Sequence, residues 1–131
     1  MDSLDTGSMT KILIATILLF GFKSETSLPT IEIITVSMDI LTSTNVECSE
    51  FEKAFQNQRK FRTLRSQKKI DRFLNELKNL KKFDDKTDMD TRAQILIKYK
   101  DHTDEICADR FSIYRDGTCY VITDKLKKLI W

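Results

Sequence analysis

Glycine, proline, tryptophan and histidine are all scarce: the 131 residues include three Gly, one Pro, one Trp and one His. So few turn-forming residues argue against a turn-rich all-β fold and against low-complexity disorder. The single histidine, His102, has Asp101 and Glu105 close by. A metal centre needs three or four convergent ligands, so His102 reads as an exposed residue on a helix. No Cys-x-x-Cys occurs, which leaves a zinc ribbon or a thioredoxin-like site without support. Glycine-rich phosphate loops, a Gly-x-Ser-x-Gly elbow and a defensible carboxylate pair are missing too. A Cys48–His102 nucleophile pair would match no known spacing. The sequence therefore assigns no catalysis and no cofactor. None of Asn45, Asn57, Asn75 and Asn79 opens an N-glycosylation sequon.

Long apolar runs are also missing. Ile12 to Phe22 is uncharged, but its eleven residues fall short of the roughly 20 that span a bilayer. Lys11 and Lys23 flank it, and its length is that of a signal-peptide h-region. Ser24 and Thr26 offer small residues for cleavage. Asp2 and Asp5 make a poor n-region, and Met9 begins a better one. The expectation is a signal peptide with an N-terminal extension over 1–26, export to the extracellular space, and no transmembrane span in the mature chain. A buried helix of a cytosolic domain and a signal-anchor are the competing readings.

What the chain does have is a basic centre. Lys53 to Lys82 carries eleven Lys and Arg against Asp71 and Glu76, a local excess of nine positive charges. The following stretch, Asp84 to Asp109, has eight acids and four bases, a local charge of −4. These halves read either as neighbouring elements sharing a solvated rim or as a basic face aimed at an anionic partner. Within the basic segment Ile70, Phe73, Leu74, Leu77 and Leu80 make one apolar stripe at helical spacing. Ser49 and Glu52 have the spacing of a capping box. They predict a helix over about 49–66, continuing or bending into a strong one over 67–82.

The rest of the chain is arranged around that segment. Residues 28–42 are rich in Ile and β-branched, which predicts a strand or an extended arm within a 27–47 linker. The acidic run 84–90 fails as an EF-hand loop, because Met89 stands where glycine is required. It reads better as N-terminal capping of a helix over about 91–109, with Ala93, Leu96, Tyr99, Thr103, Ile106 and Cys107 inward. Phe111 to Thr123 predicts a hairpin turning at Asp116-Gly117. Asp124 to Trp131 is a short basic amphipathic piece with Leu126, Leu129 and Ile130 inward. The fold class expected is mainly α: a small helical domain over 48–131, of two to four helices, with a short C-terminal β-hairpin.

The three cysteines would form a bridge in an oxidising compartment and would be three buried free thiols in a reducing one. Cys107–Cys119 is the expected disulfide, stapling the last helix to the hairpin. Cys48 is then left over or links two chains, although its pairing with either of the others stays open. Cys48 just before Ser49, the run FLNELKNLKKFD (Phe73 to Asp84) and a segment ending in Cys107 together resemble a nematode family of secreted, cysteine-containing helical domains of unknown function. The likeness covers about residues 48–111, and this chain has fewer cysteines than that family. The resemblance implies a secreted helical domain and no catalytic residue.

Two functions follow. One is a secreted interaction module without catalysis that binds a protein partner. The other is a polyanion binder, in which Arg59, Lys60, Arg62, Arg65, Lys68, Lys69 and Arg72 contact a sulfated glycan or another anionic surface. Nucleic acid is disfavoured, since Phe61 is the only aromatic residue placed among these bases for stacking.

Overall fold

The computed structural model describes residues 28–83 and 88–131, so the expected signal peptide lies outside the described residues. The described residues form six strands: β1 (Thr30–Thr35), β2 (Lys60–Leu64), β3 (Ala93–Lys98), β4 (Thr103–Ala108), β5 (Ser112–Arg115) and β6 (Thr118–Val121). Three helices accompany them: α1 (Phe51–Ala54), α2 (Gln67–Lys78) and α3 (Asp124–Ile130). The strands form one sheet in the order β2-β1-β3-β4-β5-β6, with every neighbouring pair antiparallel. No described helix is long and apolar enough to cross a membrane.

The expected mainly α fold is therefore corrected to a sheet with short helices on it. The helix expected over 91–109 is the β3–β4 hairpin. Ala93, Ile95 and Ile97 are buried and alternate with less buried Gln94, Leu96 and Lys98, which is the period of a strand. Ile95, Ile97, Thr103 and Ile106 are β-branched and lose less side-chain freedom on a pleated surface than in a helix. Register confirms the choice, with Ala93 opposite Ala108 and Ile95 opposite Ile106. The hairpin closes without glycine, through a bond from Tyr99 N to His102 O of 2.9 Å. Scarce glycine was thus no bar to a sheet.

The first of the two helices expected in the basic segment, over about 49–66, also breaks up. Cys48–Glu50 is a 3₁₀ turn whose N-cap, Glu47, makes no side-chain cap bond, so the Ser49/Glu52 capping box does not form. Helix α1 lasts one turn. The polar run after Phe55 then releases the chain into β2, which pairs with β1 through Leu64 opposite Ile31 and Arg62 opposite Ile33. Helix α2 is the part whose stripe holds. Ser66 caps it by accepting from Lys69 N, and Ile70, Phe73 and Leu77 are buried. Helix α3 is capped by Thr123, which accepts from Leu126 N at 3.1 Å. The β5–β6 hairpin turns where expected, at Asp116 (φ 50°) and Gly117 (φ 76°), the left-handed pair that a two-residue turn requires.

Helices α2 and α3 cover one face of the sheet. Their Ile70, Phe73, Leu77, Leu126 and Ile130 pack on Ile31, Ile33, Ile95, Ile97, Ile106 and Ile113. The opposite face is covered only in part, by a smaller core of Ile34, Val36, Val46, Phe51 and Phe55. The two outer strands differ. β6 is bridged by the segment after α2, with Phe83 N bonding Cys119 O and Val121 N bonding Lys81 O. No described strand pairs with the outer side of β2.

Candidate anion-binding groove

The covalent link differs from the one expected. Cys48 and Cys107 form the disulfide, with Cα atoms 5.8 Å apart. Cys107 on β4 faces Tyr114 on β5, and Tyr114 faces Cys119 on β6. Cys107 and Cys119 are thus two strand spacings apart, roughly 10 Å, beyond the reach of a bridge of normal geometry. The bond instead ties the 3₁₀ turn before α1 to the sheet. It also uses up Cys48 within the chain, which removes the expected route to a disulfide-linked dimer. Cys119 is half-buried on β6.

Two other clusters gather groups of the kind a site would need. The sulfurs of Cys48 and Cys107 and the Glu105 carboxylate lie within 4.8 Å of one another. A metal would need thiolates there, and the disulfide provides none. His102 belongs to the β3–β4 turn rather than a helix. Its ring stacks on Tyr99 at 4.6 Å, and Nδ1 lies 2.8 Å from Asp101 Oδ1. That contact holds the Asp101 carboxyl below the usual carboxylate range, helped by a backbone hydrogen bond within Asp101 and by the charge of His102. The pair is exposed, and Cys48, bonded to Cys107, offers no thiol to His102.

The third cluster is one the sequence did not reveal. Arg92 is 6 % exposed and donates to Asp90 Oδ1 at 2.9 Å, Thr91 O at 3.1 Å, Ile40 O at 3.2 Å and Thr42 Oγ1 at 3.3 Å. Its guanidinium lies 5.1 Å from the Phe55 ring centroid. Asp90, which like Asp88 belongs to the acidic run expected to cap a helix over about 91–109, accepts from both Arg92 and Val46 N. These bonds pin residues 40–46 against β3 beside a cleft of about 440 Å³. They engage the Arg92 guanidinium within the chain.

The basic residues behave differently. A groove of about 360 Å³ runs between β2, the start of α2 and the end of α3. Arg62, Arg65, Lys69, Arg72 and Lys128 line it together with Thr63, Leu64, Ser66 and Leu129, and no acid does. Arg62 donates to the carbonyls of Leu129 and Ile130, so it serves the carbonyl end of α3 where a cation is favoured. Among the described residues, Arg65, Lys69, Arg72 and Lys128 make no ion pair. The first turn of α2 contains Lys68 and Lys69 and no acid. Cations there oppose the helix dipole, and the nearby Arg65 and Arg72 add repulsion.

Of the seven expected polyanion contacts, four line the groove. Arg59 turns to Glu52 at 3.9 Å and lies over the Phe61 ring at 5.2 Å. Lys60 and Lys68 are exposed outside the groove. Lys128 was missed because it joins from the opposite end of the chain; the basic amphipathic character of 124–131 was the available signal. Comparison of the chain with protein-family models, with curated proteins and with solved structures finds no match.

Proposed function

We propose that this protein is a non-catalytic binding module of an oxidising compartment, and that it engages a partner bearing closely spaced anionic groups. The observation that carries this reading is the groove: among the described residues it has five lining cations and no lining acid, none of the five makes an ion pair, and only Arg62 is engaged, by two main-chain carbonyls. Unpaired like charges held together raise the local potential and draw in anions. The Cys48–Cys107 bond supports the compartment, because disulfides persist where thiols are not kept reduced. The short apolar run at Ile12 to Phe22 supports export.

The test is retention of the full disulfide-bonded chain on immobilised heparin, used as a generic polyanion. Elution well above ~0.15 M salt, the physiological ionic strength, is the expected result. The double variant Lys69→Glu/Arg72→Glu should elute earlier, with a shallower dependence on salt, because each lost cation releases fewer counterions. Elution of the parent chain at or below that salt overturns the reading. So does an unchanged profile for the double variant.

A further inference from the structure

We propose that the open edge of β2 takes an extended acidic protein segment as a seventh strand, and that the basic groove reads the acidic side chains of that segment. The inference rests on the anionic-partner reading above and names the partner class. Its first basis is topology. β2 ends the sheet, and no described strand satisfies its outer main-chain groups, whereas β6 at the other end is bridged by Lys82. An unpaired edge is a template for another strand.

The second basis is placement. The groove is lined by five consecutive residues, Arg62 to Ser66, including neighbours Thr63 and Leu64. Three of these residues, Arg62 to Leu64, belong to β2, so the groove meets the last part of the edge strand. A sulfated glycan would use the cations and leave the edge groups unpaired. A peptide uses both.

Charge selects the occupant. Lys60 and Arg62 share one face of β2, and Phe61, 60 % exposed, lies on the other. A second copy of this chain adding through β2 would set basic residues against basic residues, which is destabilising across strands. An acidic strand reverses that sign. It would place acids at every second position beside Lys60 and Arg62 and apolar groups beside Phe61. Arg65, Lys69, Arg72 and Lys128 would meet its further acids.

The test uses the full disulfide-bonded chain and an alternating Glu/Val peptide of about eight residues, a usual strand length. Two N-methylated forms accompany it, one methylated at the Glu positions and one at the Val positions. A strand added to one edge bonds through alternate residues only. One methylated form should therefore bind at least about tenfold more weakly than the parent peptide, a loss of roughly 1.4 kcal/mol, and the other should not. Heparin is run alongside. Equal binding by both methylated forms and the parent would overturn strand addition and leave the anionic groove standing. Heparin binding without peptide binding would do the same and make a glycan the ligand. Failure of both probes would overturn the groove as well.

Discussion

The two faces of this sheet are held in different ways. On one face, α2 and α3 lay a broad stripe of Ile, Leu and Phe over six central isoleucines. Packing does most of the holding there, with two N-terminal caps and the Arg62 bonds to the end of α3. On the other face, one turn of helix and a loop contribute Val46, Phe51 and Phe55, with half-buried Ile40, to cover Ile34 and Val36. So small a core does not hold a wandering loop by burial alone. This is the face that carries the Cys48–Cys107 bond and the buried Arg92 with its four hydrogen-bond acceptors. Covalent and ionic fixings sit where apolar area is short, as in small secreted domains.

Phe73 offers the strongest way to test the packed face. It is fully buried beneath α2, and Phe73→Ala should destabilise by about 3–5 kcal/mol through lost transfer energy and a residual cavity. Urea unfolding measures it. A loss below about 1 kcal/mol, the usual level for a conservative core swap, would mean that this core is not the main support of the fold.

The stapled face should respond next. The bond closes a loop of sequence separation 59, for which chain entropy gives about 4 kcal/mol, with typical measured values of 2–4. Cys48→Ser/Cys107→Ser should lower stability accordingly. The comparison predicts where the loss appears. Amides of residues 46–55 should lose hydrogen-exchange protection while those of α2 keep theirs at moderate denaturant. Uniform loss across both faces would show that they are one cooperative unit.

Arg92→Met keeps much of the side-chain volume and removes the donors. It leaves Asp90, Ile40 O and Thr42 Oγ1 without the guanidinium. The expected cost is about 1–3 kcal/mol, the penalty for an unsatisfied part-buried group. Residues 40–46 should become the first site of limited proteolysis. Unchanged cleavage there would reduce Arg92 to a packing role.

The same contrast explains what could be read from the sequence. Local signals were legible. Ile70, Phe73 and Leu77 announced α2, and Asp116-Gly117 announced the last hairpin. So did Leu126 and Ile130 for α3. Non-local pairings were not legible. β2 is almost wholly exposed except at Leu64, so it has no apolar alternation to mark it. β3 and β4 meet through a polar turn without glycine, and their apolar residues also fit a helical face when counted from Ala93 to Leu96. The disulfide depends on strand order, which places β5 between Cys107 and Cys119. The groove was legible in its charge and not in its shape, since Lys128 meets Arg65 and Lys69 only after α3 folds back.

The smallest effect belongs to a turn that serves neither face and so acts as the control for both. Asp101 is fully exposed, and its carboxyl sits below its ordinary value of 3.8, first because His102 hydrogen-bonds to it, then through a backbone hydrogen bond, then through the charge of His102. An acid with a depressed value in the folded state contributes stability above its ordinary value and loses that contribution as pH falls through the folded value. Any effect on unfolding is therefore confined to acidic pH, and solvent screening keeps it small. In His102→Gln the ring and its charge are gone, so Asp101 should titrate closer to ordinary carboxylates when its side-chain carbon is followed by NMR against pH. The unfolding midpoint at pH 7 should stay where it is, because the Tyr99 N to His102 O bond that closes the hairpin belongs to the main chain. A shifted midpoint would mean that the stacked Tyr99–His102 pair supports β3 and β4 after all, and that the packed face extends to the turn.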